Sequence, residues 1–330
     1  MPNVLYICYG ESIHDRNFQE VLREVDDVYV IDFQTMNDFE ANNRISTLNP
    51  LLTVITPIGS LIDLIPKTHS GALVGISLAF DLNEINSESE HENMNKWLAR
   101  LNGVVLDSAF THEKLIKEFH YKGLVHKTIY GIREFEGSYS PPTKESLKKI
   151  IVTRTWTTLH NNDLALEAFL ELPLSQNFSI SFIEPSDTLK KFDLIQRINQ
   201  DAIGVSLLKP MRNLDVRKEL RAHGLYISTS LSDGTSISLL EAMELERVCL
   251  VSDFPSNKEI VDHGQNGFLF KNGDKSDLVR QIQEIQGLSD SEIKRIGMNA
   301  RLRVQEIANW KQNSQNLLEF WRMIMERTNW

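Results

Sequence analysis

Short apolar runs recur along the chain at Val4–Cys8, Val28–Ile31, Leu52–Ile55, Ala72–Ile76 and Gly103–Leu106, and each is too brief for a helix. Between them lie segments of helical period, such as Phe18–Val25 and Thr111–Phe119. Runs of this kind alternating with helices predict a parallel sheet covered on both faces. The pattern breaks after Tyr130-Gly131-Ile132, where Glu136-Gly137-Ser138-Tyr139-Ser140-Pro141-Pro142 holds turn formers and neither period. It restarts with a strand at Lys149–Thr153 and a helix at Asp163–Leu172, then strands at Ser179–Ile183, Ile203–Leu207, Leu225–Ser228, Val248–Val251 and Phe268–Phe270. A helix-rich ending follows from Asp277. In it Trp310, Leu317, Leu318, Trp321, Ile324 and Met325 recur at near-helical spacing, a stripe that predicts core or interdomain packing rather than a membrane surface. The expected architecture is α/β, with two Rossmann-like domains over 1–134 and 150–308, a linker over 135–149 and a terminal helix over 309–330.

Composition supports two ordinary cores: the chain has 330 residues and 41% hydrophobic content. Its net charge of −10 is uneven, with 11 basic and 19 acidic side chains in residues 1–134 and 24 and 26 in the remainder. Neither half is basic enough for a nucleic-acid partner. The near-neutral second half is compatible with binding a diphosphate. Cys8 and Cys249 each sit in an apolar run without metal-type spacing, so a reduced, cytoplasmic interior is expected. The amino-terminal run lacks the basic start of a signal peptide. Leu51–Pro66, the longest apolar tract, contains Pro57, Gly59 and Asp63 and predicts a strand and helix rather than a membrane span. Ser87 with Glu90 and Ser89 with Glu92 each read as a capping box ahead of Met94–Leu101.

The densest chemistry lies in Leu225–Phe270. A buried strand at Leu225–Ser228 leads through Ser232-Asp233-Gly234-Thr235 into a helix expected over Thr235–Met243. Ligands of open α/β sheets bind at such strand-to-helix junctions. The first helical amides lack intrahelical acceptors and favour a phosphate. Gly234 permits close approach, and Thr235, Ser236 and Ser238 add hydroxyls. Glu241, about two turns into that helix, suits the hydroxyls of a ribose, and Asp233 those of a sugar. The alternative is that Asp233 and Ser236 simply cap the helix. Arg154 ends the strand that opens the second half, where a guanidinium can grip a diphosphate through its planar fork of donors.

Leu225–Phe270 as a whole resembles the donor-binding region of retaining glycosyltransferases of family 4, whose hallmark is a Glu, seven residues and a second Glu within Leu-Glu-Ala-Met, here Leu240-Glu241-Ala242-Met243. Pro255–Val261 and Gly264–Leu269 are similar to the family's next loop and strand. The resemblance implies a GT-B fold with the last helix packing back on the first domain. It also implies metal-independent transfer, with retention, from a nucleotide diphosphate sugar, UDP-sugar slightly favoured, to a glycan or lipid-linked acceptor. The nucleotide-sugar is a co-substrate, and no cofactor or metal is implied. Arg154 and the amides at Thr235 and Ser236 would offset diphosphate charge, and Asp233 and Glu241 would hold sugar and ribose.

The chain also departs from that pattern. Asp233 stands where the family more often has Glu, and Ser236 replaces a common Gly. The family's lysine five or six residues after the arginine is absent, its positions being Leu159 and His160. Either His160 substitutes weakly, or Lys209 or Arg212 in the Leu208–Asn213 loop supplies the second charge, or leaving-group stabilisation is reduced. In the first domain many relatives carry a histidine in a stretch similar to Ser77-Leu78-Ala79-Phe80-Asp81, which has none here. Asp81, Gly10 and Ser12 are candidates for an acceptor-side cleft, Asp81 alternatively capping the next segment.

Two further readings stay open: a nucleotide-sugar epimerase of the same fold, and a catalytically inactive sugar-nucleotide-binding subunit. Asp-x-Asp, Walker A, Gly-x-Ser-x-Gly, His-Glu-x-x-His and Gly-x-Gly-x-x-Gly are all absent. A transferase of the resembled type would work in the cytoplasm, with peripheral contact at the inner membrane face as one option. Lys114, Lys117, Lys122, Lys127 and Arg133, interspersed with His112, His120 and His126, make either a membrane-attracting face or a solvated helix face.

Overall fold

In the computed structural model of the chain the described residues are 3–10, 12–129, 131–132, 141–173, 177–185, 195 and 204–328. The apolar runs pair into two parallel six-stranded sheets. The first contains β1 (Val4–Cys8), β2 (Val28–Asp32), β3 (Leu52–Thr56), β4 (Ala72–Ile76), β5 (Gly103–Leu106) and β6 (Leu124–Lys127), in the spatial order β2-β1-β3-β4-β5-β6. The inner strands are buried along their whole length, as strands covered on both faces must be. Edge strand β6 is half-exposed and carries His126 and Lys127, which is why no apolar run announced it.

The helices that follow strands of this sheet are α1 (Ile13–Arg23), α2 (Asp38–Thr47), α3 (Phe80–Asn83), α4 (Glu88–Leu98) and α5 (Ala109–Lys117). A short 3-10 turn at Ser60–Leu64 takes the place of the helix expected within Leu51–Pro66. Helix α4 starts earlier than its apolar period suggested, because Ser87 and Glu90 close a capping box. Contacts divide the chain into one unit of residues 1–131 and 310–330 and a second of residues 132–309.

The second sheet contains β7 (Lys149–Val152), β8 (Ser179–Ile183), β9 (Val205–Leu208), β10 (Leu225–Ser228), β11 (Val248–Ser252) and β12 (Phe268–Phe270), ordered β12-β11-β10-β7-β8-β9. Around it lie α6 (Asn162–Leu170), α7 (Asn213–Ala222), α8 (Ile237–Glu244), α9 (Pro255–Ile260), α10 (Lys275–Gln286) and α11 (Asp290–Ile307). Of the expected linker, 135–140 lies outside the described residues. Residues 141–149 pack into the second unit: Leu147 is buried, its carbonyl accepts from Gln286 Nε2, and Lys144 N–H donates to Asp290.

In each sheet the chain runs outward in one direction and then returns to build the other side. The reversal falls between β1 and β3 in the first sheet and between β7 and β10 in the second. Such switch points open a crevice at the carboxyl ends of the strands.

Helix α12 (Trp310–Thr328) closes the first unit, with Trp321 fully buried and Leu317, Phe320 and Ile324 turned inward. Its close approach explains Gly103: a Cβ there would stand 2.8 Å from Ile324 Cδ1. In the second unit Gly297 has the same role, a Cβ meeting the Glu246 carbonyl at 2.5 Å where α11 packs on the end of α8. Among the described residues no helix is long and apolar enough to cross a membrane.

Candidate functional site

The loops after the adjacent strands β7 and β10 are tied together at the switch point of the second sheet. Leu231 N–H donates to the Leu159 carbonyl at 2.8 Å, and Thr229 Oγ1 donates to the carbonyls of His160 and Asn161. Asn161 adopts a left-handed conformation, φ +48°, and buried Asn162 donates to the carbonyls of Arg154 and Thr155. An asparagine tolerates that backbone better than most residues. This scaffold fixes the loop that carries Arg154 and His160.

Arg154 is the hub. Its Nη2 lies 2.7 Å from Asp233 Oδ2 and 2.6 Å from His160 Nε2, and Nη1 donates to Ser236 Oγ at 3.4 Å. Both members of the Arg154–Asp233 pair keep 18% of their side-chain surface in solvent, so the pair is shielded yet reachable. A guanidinium only donates, so His160 Nε2 must accept and the ring proton must sit on Nδ1. Nδ1 then donates to the Thr155 carbonyl at 3.0 Å. Burial, and next the Arg154 charge, hold the His160 ring below its ordinary range. In this arrangement His160 is neutral.

Helix α8 begins at Ile237, two residues later than expected. Ser236 is extended, with φ −73° and ψ 112°, and its Oγ accepts from Leu239 N–H as the N-cap. The amides of the first turn are therefore those of Ile237 and Ser238, not of Thr235 and Ser236. Asp233 does not cap the helix; its Oδ1 accepts from Gly234 N–H and its Oδ2 faces Arg154. Gly234 and Thr235 are buried between these groups, and Ser238 is half-buried in the first turn. Glu241 is the fifth residue of the helix, little more than one turn in, and only 3% exposed. Its Oε1 accepts from Asn213 Nδ2 at 2.8 Å. Burial raises its carboxyl, while the Asn213 hydrogen bond and then the charge of Arg217 oppose the rise.

Asn213 and Tyr226 were not singled out in the sequence. Asn213 opens α7 and reads there as a turn or cap residue. Tyr226 stands in β10 behind the hub, fully buried, its hydroxyl beside Thr153 and Ser236 and pushed up to about 12 chiefly by burial. The one sequence signal was a polar-tipped aromatic between two aliphatic residues, Leu225 and Ile227.

The two alternative cations are not part of this cluster. Lys209 is exposed in the loop after β9, and Arg212, at the start of α7, pairs at 3.5 Å with Asp215 on the surface. Of the charges proposed to replace the missing lysine, the fold brings only His160 to Arg154.

The first unit's candidates are engaged internally. Gly10, at φ +76°, donates its N–H to Asp32 Oδ1 at 2.7 Å. Ser12 caps α1 in a box with Asp15. Asp81 accepts from Ile58 N–H at 3.0 Å, Ser77 Oγ at 2.7 Å and Leu82 N–H at 3.0 Å, so it joins the loops after β3 and β4. Burial still pushes its carboxyl up to about 6.

Several of the basic residues in the 112–133 segment are engaged within the first unit. Lys114 is largely covered and reaches the Asn83 carbonyl and Glu118, Lys117 pairs with Glu113, and His126 stacks on Phe320 at 5.0 Å. The i,i+4 placement of lysines and glutamates on α5 accounts for this pairing. Arg133 lies outside the described residues. Among the described residues no group of three or more His, Cys, Asp or Glu side chains is arranged to hold a metal ion.

The hub of charge at the switch point lies inside a segment with a recognisable sequence family. Residues 140–303 match the family model of glycosyl transferases group 1. This segment is just under half of the chain.

A glycosyltransferase 1 domain-containing protein 1 of Xenopus tropicalis is 31% identical over 109 residues, which are 33% of this chain and 30% of that protein. A putative glycosyltransferase EpsD of Bacillus subtilis is 28% identical over 71 residues, 22% of this chain and 19% of that protein. The aligned parts thus span less than a third of each relative. Among solved structures, Anabaena HepE in complex with UDP-glucose superimposes with a TM-score of 0.80 at 13% identity, covering 98% of this chain and 100% of that one. Sucrose-phosphate synthase from Thermosynechococcus elongatus gives 0.81 at 13% identity with the same coverage. The fold is GT-B: two six-stranded parallel sheets with their helices, as in these glycosyltransferases.

Proposed function

We propose that the chain is a glycosyltransferase that binds a nucleotide diphosphate sugar on its second unit and transfers the sugar to a glycan or lipid-linked acceptor, with retention and without a metal ion. The observation that carries this reading is the Arg154 guanidinium beside the first turn of α8, at the switch point of the second sheet. A diphosphate entering there would meet the donors of Arg154 and the amides of Ile237 and Ser238, with the positive end of the helix dipole behind them.

In the proposed reaction the bond from the anomeric carbon to the diphosphate breaks, and the phosphate oxygen leaves with the electron pair. Arg154 and the helix amides stabilise that developing charge. Arg154 exchanges Asp233 for phosphate oxygens, which releases the Asp233 carboxylate for hydroxyls of the donor sugar. Asn213 already occupies Oε1 of Glu241, which leaves Oε2 for the ribose. The acceptor hydroxyl bonds to the anomeric carbon on the face the diphosphate leaves, and its proton passes to the departing phosphate. Acceptor binding is assigned to the first unit. The family match over 140–303 supports the transferase reading, and the UDP-glucose held by Anabaena HepE makes UDP-glucose the first donor to test.

The test is calorimetric titration of UDP-, GDP- and ADP-glucose into the purified chain in chelator, followed by product analysis with candidate acceptors. One donor should bind, and its affinity should change less than twofold on adding magnesium. Failure of all three donors would remove the donor site. An inverted product or an absolute need for a divalent ion would overturn the mechanism.

A further inference from the structure

The neutral histidine against Arg154 carries an inference that rests on the donor-site reading above and extends it to the protons exchanged on binding. His160 Nε2 is a hydrogen-bond acceptor, because its neighbour at 2.6 Å is a guanidinium nitrogen that can only donate. Nδ1 is anchored on the Thr155 carbonyl and within 3.0 Å of Thr155 Oγ1, so the ring cannot turn its proton toward Nε2 without losing that anchor. Among the described residues the charged groups facing the ring are Arg154, from the loop after β7, and Asp233, from the loop before α8. The arrangement is matched to a guanidinium donor and mismatched to a phosphate oxygen. A diphosphate drawing Arg154 to itself would meet the lone pair of Nε2 with phosphate oxygens, which are acceptors as well.

We propose that His160 takes up one proton when the nucleotide diphosphate sugar binds, which turns Nε2 from an acceptor into a donor and supplies the second positive charge of the site. The proton comes from solvent, and the Nδ1–H bond to Thr155 is kept in both states. Diphosphate charge favours the imidazolium, whereas burial and the Arg154 charge disfavour it. A lysine in this position would be charged throughout and would give no such coupling. With His160 the site therefore binds its donor more tightly as pH falls through the neutral range.

The test uses UDP-glucose, because its diphosphate is capped at both ends and has no phosphate group titrating near pH 6, unlike UDP. Titrations at pH 7 in buffers of different protonation enthalpy give the number of protons exchanged. The wild type should take up between about half and one proton, with affinity falling by up to about tenfold per pH unit at the steepest point. His160→Lys should bind without uptake and with a flat pH profile, and His160→Gln should bind more weakly, also without uptake. Binding of UDP-glucose by the wild type without uptake, or equal uptake in wild type and His160→Gln, would overturn the proposal while leaving the donor site intact. Failure of UDP-, GDP- and ADP-glucose to bind at all would remove the donor-site reading and this inference with it.

Discussion

The two parallel sheets place opposite chemistry at the same topological point. In the second unit the loops after β7 and β10 meet around a cation, Arg154, with neutral His160 and the start of an eight-residue helix beside it. In the first unit acids stand there instead, Asp32 at the end of β2 holding Gly10 and Asp81 in α3 joining the loops after β3 and β4. Both acids serve the fold. The backbone supplies a switch point in both units, and the side-chain charge beside it differs between them.

The largest break in this comparison should come from Arg154→Ala. Calorimetry should show donor affinity down on the order of 100-fold, the scale of losing two charge-assisted hydrogen bonds. A loss below threefold would remove Arg154 from the donor site.

Asp81→Asn tests the other side. The carboxyl of Asp81 is raised to about 6 from its ordinary 3.8, so the native chain holds this proton more tightly than the unfolded one. Its stabilising contribution is therefore present below about pH 4 and lost as pH rises through about 6. Denaturation curves of wild type and Asp81→Asn should diverge by on the order of 2 kcal/mol across that window. Donor affinity should stay within twofold, and a larger change would give Asp81 a part in binding.

Glu241→Gln should separate stability from binding. Burial raises the Glu241 carboxyl, so the ionised form costs stability near pH 7. The variant should gain stability, read as a rise in melting temperature, while donor affinity drops. Equal binding by UDP and its 2′-deoxy form in the wild type would detach Glu241 from the ribose. Smallest is Tyr226→Phe, which removes a buried hydroxyl beside Thr153 and Ser236. A loss of about threefold in donor affinity is expected, with the fold unchanged by circular dichroism.

Much of the fold was legible because strands buried on both faces leave continuous apolar runs; Val4–Cys8, Ala72–Ile76 and Gly103–Leu106 appear within their expected bounds. Edge strand β6 was not legible, since a half-exposed strand with His126 and Lys127 has no such run. The start of α8 was displaced by two residues because Ser236, rather than a residue before Thr235, supplies the capping oxygen. At the site, Arg154, Asp233 and Ser236 stood out by type and by their place next to strand ends. Asn213 did not, because its bond to Glu241 spans 28 residues and leaves no local pattern.

Sequence alone determined the repeated strand and helix order, the acidic bias of the first half and the absence of a lysine five or six residues after Arg154, all of which are local or additive properties of the chain. Tertiary structure decided which charges meet. Arg154 and Ser236 are 82 residues apart in the chain and share a hydrogen bond, and His160 instead of Lys209 stands against the guanidinium. That choice depends on strands β7 and β10 lying side by side and on main-chain bonds between their loops, contacts fixed by sheet packing across long loops of chain and not by periodicity.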